Sequence, residues 1–207
     1  MEIKKKSNFE VSKAVLADSK GIHDTLLKNL MKIEDFDEIS KEEKKKLENE
    51  GFLRKQVEEK YYFDLIRDPG CEIYLAKEET GKIIGFASFH LNKSDIWSVR
   101  STLTDLFVED DTDLKLLTDK NTNFIYHDQI SVIPLYKRKG IGSAIFKEAS
   151  SILKDNIIAF IVKSPLANTA SAEWHKKNGF KSIGTSKGLY KGKTLECWIF
   201  LHRYHKK

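Results

Sequence analysis

The feature that most restricts the fold of this 207-residue chain is a strand-like segment that runs into a basic, glycine-containing loop and then into a helix. Residues 124–133 alternate in the manner of a strand and end at Pro134, and the apolar positions after residue 140 recur at helical spacing. The loop between them is Lys137-Arg138-Lys139-Gly140-Ile141-Gly142. Such a loop directs backbone N–H groups from a helix N-terminus toward one point, which favours a bound phosphate. We therefore predict an anion site in a fold that combines strands and helices.

The spacing of this loop excludes two common phosphate-binding motifs. A dinucleotide-binding loop would need a glycine three residues after Gly142, where the chain has Ile145. A P-loop would need Gly-Lys followed by Ser or Thr, which does not occur. Because two glycines alone are weak evidence, an ordinary strand-to-helix turn remains the alternative interpretation.

The rest of the chain indicates one domain over residues 1–207, without repeats or a linker. Before the loop we expect a strand near 9–16, helices near 19–30, 40–50 and 51–67, and a hairpin of strands at 71–76 and 83–91. After it we expect a helix, a strand at 157–162, a helix at 168–178 and two final strands. Residues 92–122 fit none of these patterns and are assigned to an insertion. This order predicts a mixed sheet with helices on both faces.

Composition excludes several classes of protein. The apolar share of 40% and charged share of 32% are those of a globular domain, and no apolar run approaches the roughly 20 residues that span a bilayer. The 36 basic and 31 acidic residues are interleaved, so the net charge of +5 is the only feature that favours nucleic-acid binding. Cys71 and Cys197 lie in strand-like contexts and are interpreted as buried thiols. The charged N-terminus lacks a leader pattern, and we expect a cytoplasmic protein.

A second motif lies downstream of the basic loop. Asn168 is followed by a small residue, Ser171, three positions on, by His175 seven positions on, and by Gly179-Phe180. With the loop, this pattern resembles the GNAT superfamily of acyl-CoA-dependent N-acyltransferases, in which a Q/R-x-x-G-x-G/A motif binds pyrophosphate. Lys137 stands here in the Q/R position, and His175 replaces the usual Tyr. The resemblance is strongest over residues 124–180, and no motif is recognised in 31–68 or 92–122.

The resemblance implies an α/β (α+β) fold of the GNAT type, with a mixed, mostly antiparallel sheet, a splayed central parallel strand pair and helices on both faces. It implies acetyl-CoA as acyl donor, with the backbone of Ile130 and Val132 pairing with the pantetheine arm and an N–H near Val132 polarising the thioester carbonyl. The remaining cofactor-binding residues that it implies are Lys137, Arg138, Lys139, Gly140, Ile141, Gly142, Ser143, Asn168 and Ser171. For Asn168 the alternative is a helix N-cap.

The resemblance also implies a catalytic base on the strand before the loop, at Tyr126 or Asp128. We prefer Asp128, acting through a water, although an unperturbed pKa near 3.9 suits an ammonium near 10 poorly. A hydrogen-bonded, inert aspartate is the alternative. Strict alternation places two sets of residues on opposite faces of this strand: Tyr126, Asp128 and Ile130 on one, and His127, Gln129 and Ser131 on the other.

His175 stands where the family usually places the acid that protonates the departing CoA thiolate. An imidazolium of pKa about 6.5 suits that transfer to a thiolate of pKa about 8.5, and packing beside Trp174 is the alternative. His90 is a weaker candidate at the end of a strand. Since His202 and His205 lack a cluster of further ligands, we predict no metal site.

We therefore predict an N-acetyltransferase that moves the acetyl group of acetyl-CoA to a primary amine by direct attack in a ternary complex. The partners are acetyl-CoA and an amine of a small molecule or protein, with no nucleic acid or membrane, and a homodimer is left open. The alternative is an acyl-CoA-binding sensor without turnover. We also predict that residues 31–51 and 92–122 form the acceptor side, where the acidic run Glu109–Asp113 would attract a cationic amine, with a solvated loop as the alternative.

Overall fold

A single eight-stranded sheet forms the centre of the computed structural model, which describes residues 8–31, 39–91, 93–101, 103–190 and 193–205. The strands lie in the spatial order β1-β2-β3-β5-β6-β8-β7-β4, and β5 and β6 are the parallel neighbours in an otherwise antiparallel sheet. This confirms the predicted fold class. The strands are β1 (Phe9–Lys13), β2 (Cys71–Glu78), β3 (Ile83–His90), β4 (Thr104–Val108), β5 (Ile125–Val132), β6 (Ile157–Ser164), β7 (Lys181–Tyr190) and β8 (Lys193–His202).

Helices cover both faces of the sheet. They are α1 (Ser19–Leu27), α2 (Lys41–Glu50), α3 (Glu59–Arg67), α4 (Lys93–Ser101), α5 (Asp111–Thr118), α6 (Ile141–Leu153) and α7 (Thr169–Lys177). The apolar side chains of α6 and α7 share one buried cluster with the central strands. On the opposite face, α1 and α3 cover β2 and β3, while α4 and α5 cover β6 and β8. Among the described helices, none has the length and apolarity needed to cross a membrane.

The parallel strands β5 and β6 separate after only two paired positions. Ile125 pairs with Ile157 and Tyr126 with Ile158, and no later pair follows between these two strands. Further along β5, the N–H of Ile133 donates to the carbonyl of Ile84 in β3. Because successive N–H groups point to opposite edges of a strand, those of residues 130 and 132 point toward the widening gap beside β6.

A β-bulge interrupts the pairing of β3 with β5 at the start of this gap. Ser88 pairs with Gln129, but the next residue, Phe89, pairs with His127, so Asp128 is an extra residue on β5. A bulge of this kind changes the direction of the side chains that follow it. Burial along β5 nevertheless alternates regularly between buried and half-buried residues.

The bulge makes the predicted distribution of side chains on β5 wrong. Gln129 and Ser131 hydrogen-bond to α3 and α1, and Asp128 also contacts α3. On the opposite face, His127 lies against α6 and Ile130 approaches the first turn of the same helix. Asp128 therefore shares a face with Gln129 and Ser131, and Ile130 shares one with His127. Strict alternation fails because one residue has been added to the strand.

The predicted helix at 51–67 begins only at Glu59. Gly51, with a φ of 75°, ends α2, and residues 51–58 form an extended segment that we call the linker. Its backbone pairs with the end of the α1 region, since Leu53 bonds through its N–H to Asn29 and through its carbonyl to Met31. These bonds to distant backbone compete with helix formation. Ser40 caps α2 as expected by accepting a bond from the N–H of Glu43, whereas residues 32–38 lie outside the described residues.

The predicted insertion at residues 92–122 contributes α4, β4 and α5 between β3 and β5. Its strand β4 pairs with β7, at the far edge of the sheet from β1. Ile96 of α4 and Leu117 of α5 are fully buried against Ile158 and Ile199. The segment therefore extends both the sheet and the core beyond β8 and β7, although residues 92 and 102 lie outside the described residues.

Candidate active site

The basic loop leaves the N-terminus of α6 open. Gly140 is the N-cap residue, its φ of 81° lies in the left-handed region, and no side chain caps the helix. A Cβ placed on Gly140 would meet no atom within 4 Å. The first N–H groups of α6 and the positive end of its dipole are therefore available to an anion. Arg138 and Lys139 are exposed beside this N-terminus and add positive charge.

Lys137 has a different partner from the one that its place in the motif implies. Its Nζ donates to the carbonyl oxygen of Glu50 at 2.8 Å and approaches that of Gly51 at 3.5 Å. Both carbonyls belong to the C-terminal end of α2, where a cation is favoured by the helix dipole. Burial lowers the pKa of Lys137. In this structure the ammonium thus connects the basic loop to the linker.

Gly142 is required by packing within the protein. A Cβ on this residue would lie 3.1 Å from Nε1 of Trp174 and 3.3 Å from Cδ1 of Ile130. The first turn of α6 is therefore held tightly between α7 and β5. A substitution such as Gly142→Asp would strain this contact whether or not a phosphate binds nearby, so it does not test the loop cleanly.

Asn168 acts as the N-cap of α7, in agreement with the alternative considered from the sequence. Its Oδ1 accepts a bond from the N–H of Ser171 at 3.2 Å, and its Nδ2 donates to the carbonyl of Phe52 at 2.8 Å. The residue is 8% exposed. Both ends of the amide therefore have protein partners, and Asn168 ties the linker to the second motif.

His175 is buried at 1% exposure and faces a second histidine. Its Nδ1 lies 2.7 Å from the carbonyl oxygen of Ser171, which only accepts, so Nδ1 carries the proton. Its Nε2 lies 3.3 Å from Nδ1 of His127, which donates to it. Burial lowers the pKa of His175 to about 4 and that of His127 to about 3, in the latter case with the help of His175. Neutral His175 therefore has no proton on the nitrogen that faces away from its own helix.

Asp128 lies in a polar cluster on the other face of β5, which we call the Asp128 cluster. Its carboxylate accepts bonds from Lys55 at 3.0 Å, from Tyr61 at 3.3 Å and from Tyr126 at 3.2 Å. Nε2 of His90 lies 3.5 Å from the same carboxylate. Lys55, Tyr61 and His90 all approach Oδ2, whereas Tyr126 approaches Oδ1. The side chain is 7% exposed.

The charges of this cluster shift its ionisation strongly. Burial opposes the charge on Asp128, but hydrogen bonding and charge from His90 and Lys55 outweigh it, and the pKa of Asp128 falls well below its usual range. Burial alone would lower the pKa of His90, yet bonds to Asp128 and Cys71 raise it to about 10. Burial and the charge of Asp128 raise the pKa of Tyr126. The cluster thus holds an imidazolium, an ammonium and a carboxylate at neutral pH.

The acidic run of the insertion lies away from these groups. Asp110 caps α5, and Asp113 is buried and paired with Arg203 near the end of β8. These residues line a groove of 590 Å³ between β4, β7 and the C-terminal end of β8. Three strands, β6, β8 and β7, lie between β4 and the gap that separates β5 from β6. The expected attraction of a cationic amine by these acids is therefore not supported, because two of them serve local structure.

Sequence reasoning missed Lys55 and Tyr61 and gave His90 little weight. A signal was present in β5, where Tyr126-His127-Asp128-Gln129 places four polar side chains in succession inside a core strand. Buried polar groups need partners, so neighbouring elements had to supply them. The pattern does not say which elements, because Lys55 lies in a linker that resembled a helix. No three His, Cys, Asp or Glu side chains converge as a metal site in the part of the chain that the structure describes.

The open helix N-terminus beside a splayed parallel strand pair is the arrangement that the resemblance to the GNAT superfamily implies. The model of the acetyltransferase (GNAT) family matches residues 33–180. The chain therefore belongs to the GNAT acetyltransferase family. No match is found among curated protein sequences.

Solved structures with the same fold cover nearly the whole chain. An N-acetyltransferase from Staphylococcus aureus shares 19% identity at a TM-score of 0.58, with 96% of this chain and 100% of that chain covered. The ribosomal-protein alanine N-acetyltransferase from Escherichia coli shares 12% identity at a TM-score of 0.60, with 96% of each chain covered. An acetyltransferase from Corynebacterium glutamicum shares 15% identity at a TM-score of 0.58, with 97% of this chain and 99% of that chain covered. At these identities the likeness concerns the fold alone.

Proposed function

We propose that this protein transfers the acetyl group of acetyl-CoA to a primary amine by direct attack within a ternary complex. The observation that carries the proposal is the gap between β5 and β6, which begins after Tyr126 and lies beside the open N-terminus of α6. The exposed backbone edge of β5 suits a pantetheine arm, and the helix N-terminus suits a pyrophosphate. Ile130 and Val132 would contribute backbone groups, and Gly140–Ser143 would contribute N–H groups to the phosphates.

The residues divide into those that hold the donor and those that handle the acceptor. Arg138 and Lys139 attract the phosphates, while Lys137 and Asn168 fix the linker against the donor site. An N–H at residue 132 that points into the gap supports the polarisation of the thioester carbonyl. On the other face of β5, the Asp128 cluster lies at the start of the gap, where the amine would approach.

Asp128 supports the reaction by positioning its neighbours, rather than by taking the proton from the ammonium as we expected from the sequence. Its low pKa, which the bonds from His90 and Lys55 maintain, makes it a poor base. The cations Lys55 and His90 instead favour the uncharged form of an amine that approaches them, because like charges disfavour a second cation. The amine nitrogen then bonds to the acetyl carbon, the carbon–sulfur bond breaks, and the proton released by nitrogen balances the one that the thiolate takes up.

His175 contributes by packing in this proposal. Its Nδ1–H is committed to Ser171, and its Nε2 accepts from His127, so the pair rigidifies the wall between α7 and β5. The acid role that we expected from the motif would need a charged ring, which burial opposes.

Steady-state kinetics with acetyl-CoA and a panel of primary amines tests the proposal. We expect an acetylated product, identified by its mass, together with one free CoA thiol per turnover. Direct attack predicts intersecting lines in double-reciprocal plots as both substrates are varied. Parallel lines would contradict a ternary complex. Tight acetyl-CoA binding without product from any amine would instead support the acyl-CoA sensor as the function.

A further inference from the structure

Resting on the proposed function, we infer that the acceptor is a small amine that carries an anionic group, a carboxylate or a phosphate, close to its amine. The inference comes from the charges that surround the Asp128 cluster, where cations outnumber the anions that face the gap. The anionic group of the acceptor would bind at Lys55 while its amine faces the acetyl group. Polycationic acceptors such as polyamines would be rejected at the same place.

Lys55 has the geometry of a residue that can turn toward a ligand. Its Nζ lies over the ring of Tyr61, 4.5 Å from the centroid, and donates to Asp128. The side chain is 41% exposed, whereas that of Asp128 is 7% exposed. An ammonium has three donors, and the contacts with Asp128 and the Tyr61 hydroxyl use two of them. One donor of a half-exposed ammonium therefore remains for an anion.

Two further cations accompany Lys55. Nε2 of His90 lies 3.5 Å from the carboxylate of Asp128, and the His90 ring stacks against that of Tyr126. Arg54, the residue before Lys55, lies near enough to Tyr126 and Cys197 for its charge to lower the pKa of both groups, although burial raises each of them overall. Three basic groups from the linker and β3 thus surround the point where β5 leaves β6.

The acids near these cations are already engaged. The carboxylate of Asp128 is paired with Lys55 and His90 at Oδ2, where Tyr61 also donates, and Tyr126 donates to Oδ1. Asp68 lies behind Cys71, with 3.7 Å between Oδ2 and Sγ, and accepts a bond from the N–H of Gly70. Glu196 on β8 is paired with Lys163 at 2.6 Å. Each of these carboxylates already has a partner within the protein, so the local field favours an acceptor that brings its own negative charge.

The same arrangement serves catalysis and selection together. An anion on the acceptor compensates the cations and holds the substrate, while its amine nitrogen stays near positive charge and loses its proton more readily. A polyamine adds positive charge to a site that already carries it and gains no partner. Selection therefore depends on repulsion as well as attraction.

Matched pairs of acceptors test the inference with the full-length protein. Each pair compares an anionic amine with a neutral analogue of similar size: an α-amino acid with its carboxamide, and phosphoethanolamine with ethanolamine. Spermidine serves as the polycation. We expect kcat/KM to be about 10- to 100-fold higher for the anionic member of at least one pair, as for a hydrogen bond between charged groups. The pair that responds distinguishes a carboxylate from a phosphate.

Variants of Lys55 connect this preference to the residue. Lys55→Met should remove the preference while the dissociation constant for acetyl-CoA stays unchanged, and Lys55→Arg should retain most of it. Lys60→Met is the matched control, because Lys60 is an exposed lysine of α3 paired with Asp64, and it should change nothing.

The failures of the inference and of the proposed function are distinct. Preference for neutral amines or spermidine, or an equal loss for every acceptor in Lys55→Met, overturns the inference and leaves the transferase function standing. If no amine of the panel releases CoA thiol although acetyl-CoA binds, the transferase function fails, and the inference fails with it.

Discussion

Nε2 of His175 lies 3.3 Å from Nδ1 of His127, which joins α7 to β5 through a buried pair of neutral imidazoles. The ring of His127 also stacks on Phe89, with 4.8 Å between centroids. The pair lies on the face of β5 opposite the Asp128 cluster. The two faces of one strand thus carry histidines in opposite states: neutral His127 on one side, and charged His90 beside Asp128 on the other.

The first prediction concerns the protonation of these histidines. At pH 7, ¹⁵N imidazole shifts should show His90 as doubly protonated, because its pKa is raised to about 10 by Asp128 and Cys71 against the effect of burial. His127 and His175 should remain neutral down to about pH 5, since burial lowers their pKa values to about 3 and about 4. Single His→Gln variants assign the signals. A neutral His90 at pH 7 would contradict the charge balance of the Asp128 cluster.

A second prediction separates packing from acid catalysis at His175. His175→Phe should keep turnover within about threefold of the parent, since the histidine has no proton to give in this arrangement. The parent should lose stability as the pH falls below about 6.5, because the unfolded state binds protons that buried His175 resists until about pH 4. In His175→Phe this loss should be smaller. A decrease in turnover of about 10²-fold with acetyl-CoA binding intact would restore the acid role.

A third prediction concerns the ion pair of the Asp128 cluster. Asp128→Asn leaves the buried imidazolium of His90 and the half-exposed ammonium of Lys55 without their anion, and it should reduce the free energy of unfolding by about 3–5 kcal/mol at pH 6. Asp64, which forms an exposed ion pair with Lys60, provides the control. Asp64→Asn should change this free energy by less than about 0.5 kcal/mol. Urea titrations give both values.

The difference in unfolding free energy between the parent and Asp128→Asn should depend on pH, because the pKa of Asp128 is lowered and that of His90 is raised. The lowered pKa of Asp128 gives stability that is present above its unfolded pKa near 3.9 and is lost as the pH falls further. The raised pKa of His90 gives stability that is present below about 6.5 and is lost as the pH rises toward about 10. The difference between parent and Asp128→Asn should therefore be largest between about pH 4 and 6.5. A difference that grows toward pH 9 would contradict a charged His90.

A fourth prediction concerns the donor site. Reversing two exposed charges, in Arg138→Glu with Lys139→Glu, should weaken acetyl-CoA binding by about tenfold or more at low salt, and less at 0.5 M salt, where charges are screened. Lys147→Glu, an exposed change further along α6, is the control. Calorimetry measures each dissociation constant. Equal affinity in the double variant and the parent would place the phosphates elsewhere.

A fifth prediction distinguishes the role of Lys137 from that of its neighbours. Since its Nζ bonds to the end of α2, Lys137→Met should release the linker and raise the Michaelis constant of the amine more than the dissociation constant of acetyl-CoA. Limited proteolysis should then cut the chain faster between α2 and α3. If only acetyl-CoA affinity fell, with the linker as protected as in the parent, Lys137 would be a phosphate ligand after all.

Local patterns predicted the strands other than β4, the helices other than α4 and α5, and the two motifs, because alternation, capping and glycine placement depend on neighbouring residues. The capping of α7 by Asn168 and the start of α2 at Ser40 are of this kind. The start of α3 was wrong, because Leu53 finds its backbone partners in Asn29 and Met31, far away in sequence. The roles of Lys55 and His90 depend on the same kind of distant contact.

The bulge at Asp128 has a consequence for how β5 tolerates a change in length. Without residue 128, the order His127, Gln129, Ile130, Ser131 would alternate regularly between the faces on which these side chains already lie. In a chain that lacks residue 128, β3 and β5 should therefore be joined by an uninterrupted ladder, while Lys55 and His90 would lose their anion. The sheet has no architectural need for the residue. Asp128 thus serves the protein through its carboxylate, which offsets the charges of Lys55 and His90, rather than through a place in the ladder between β3 and β5.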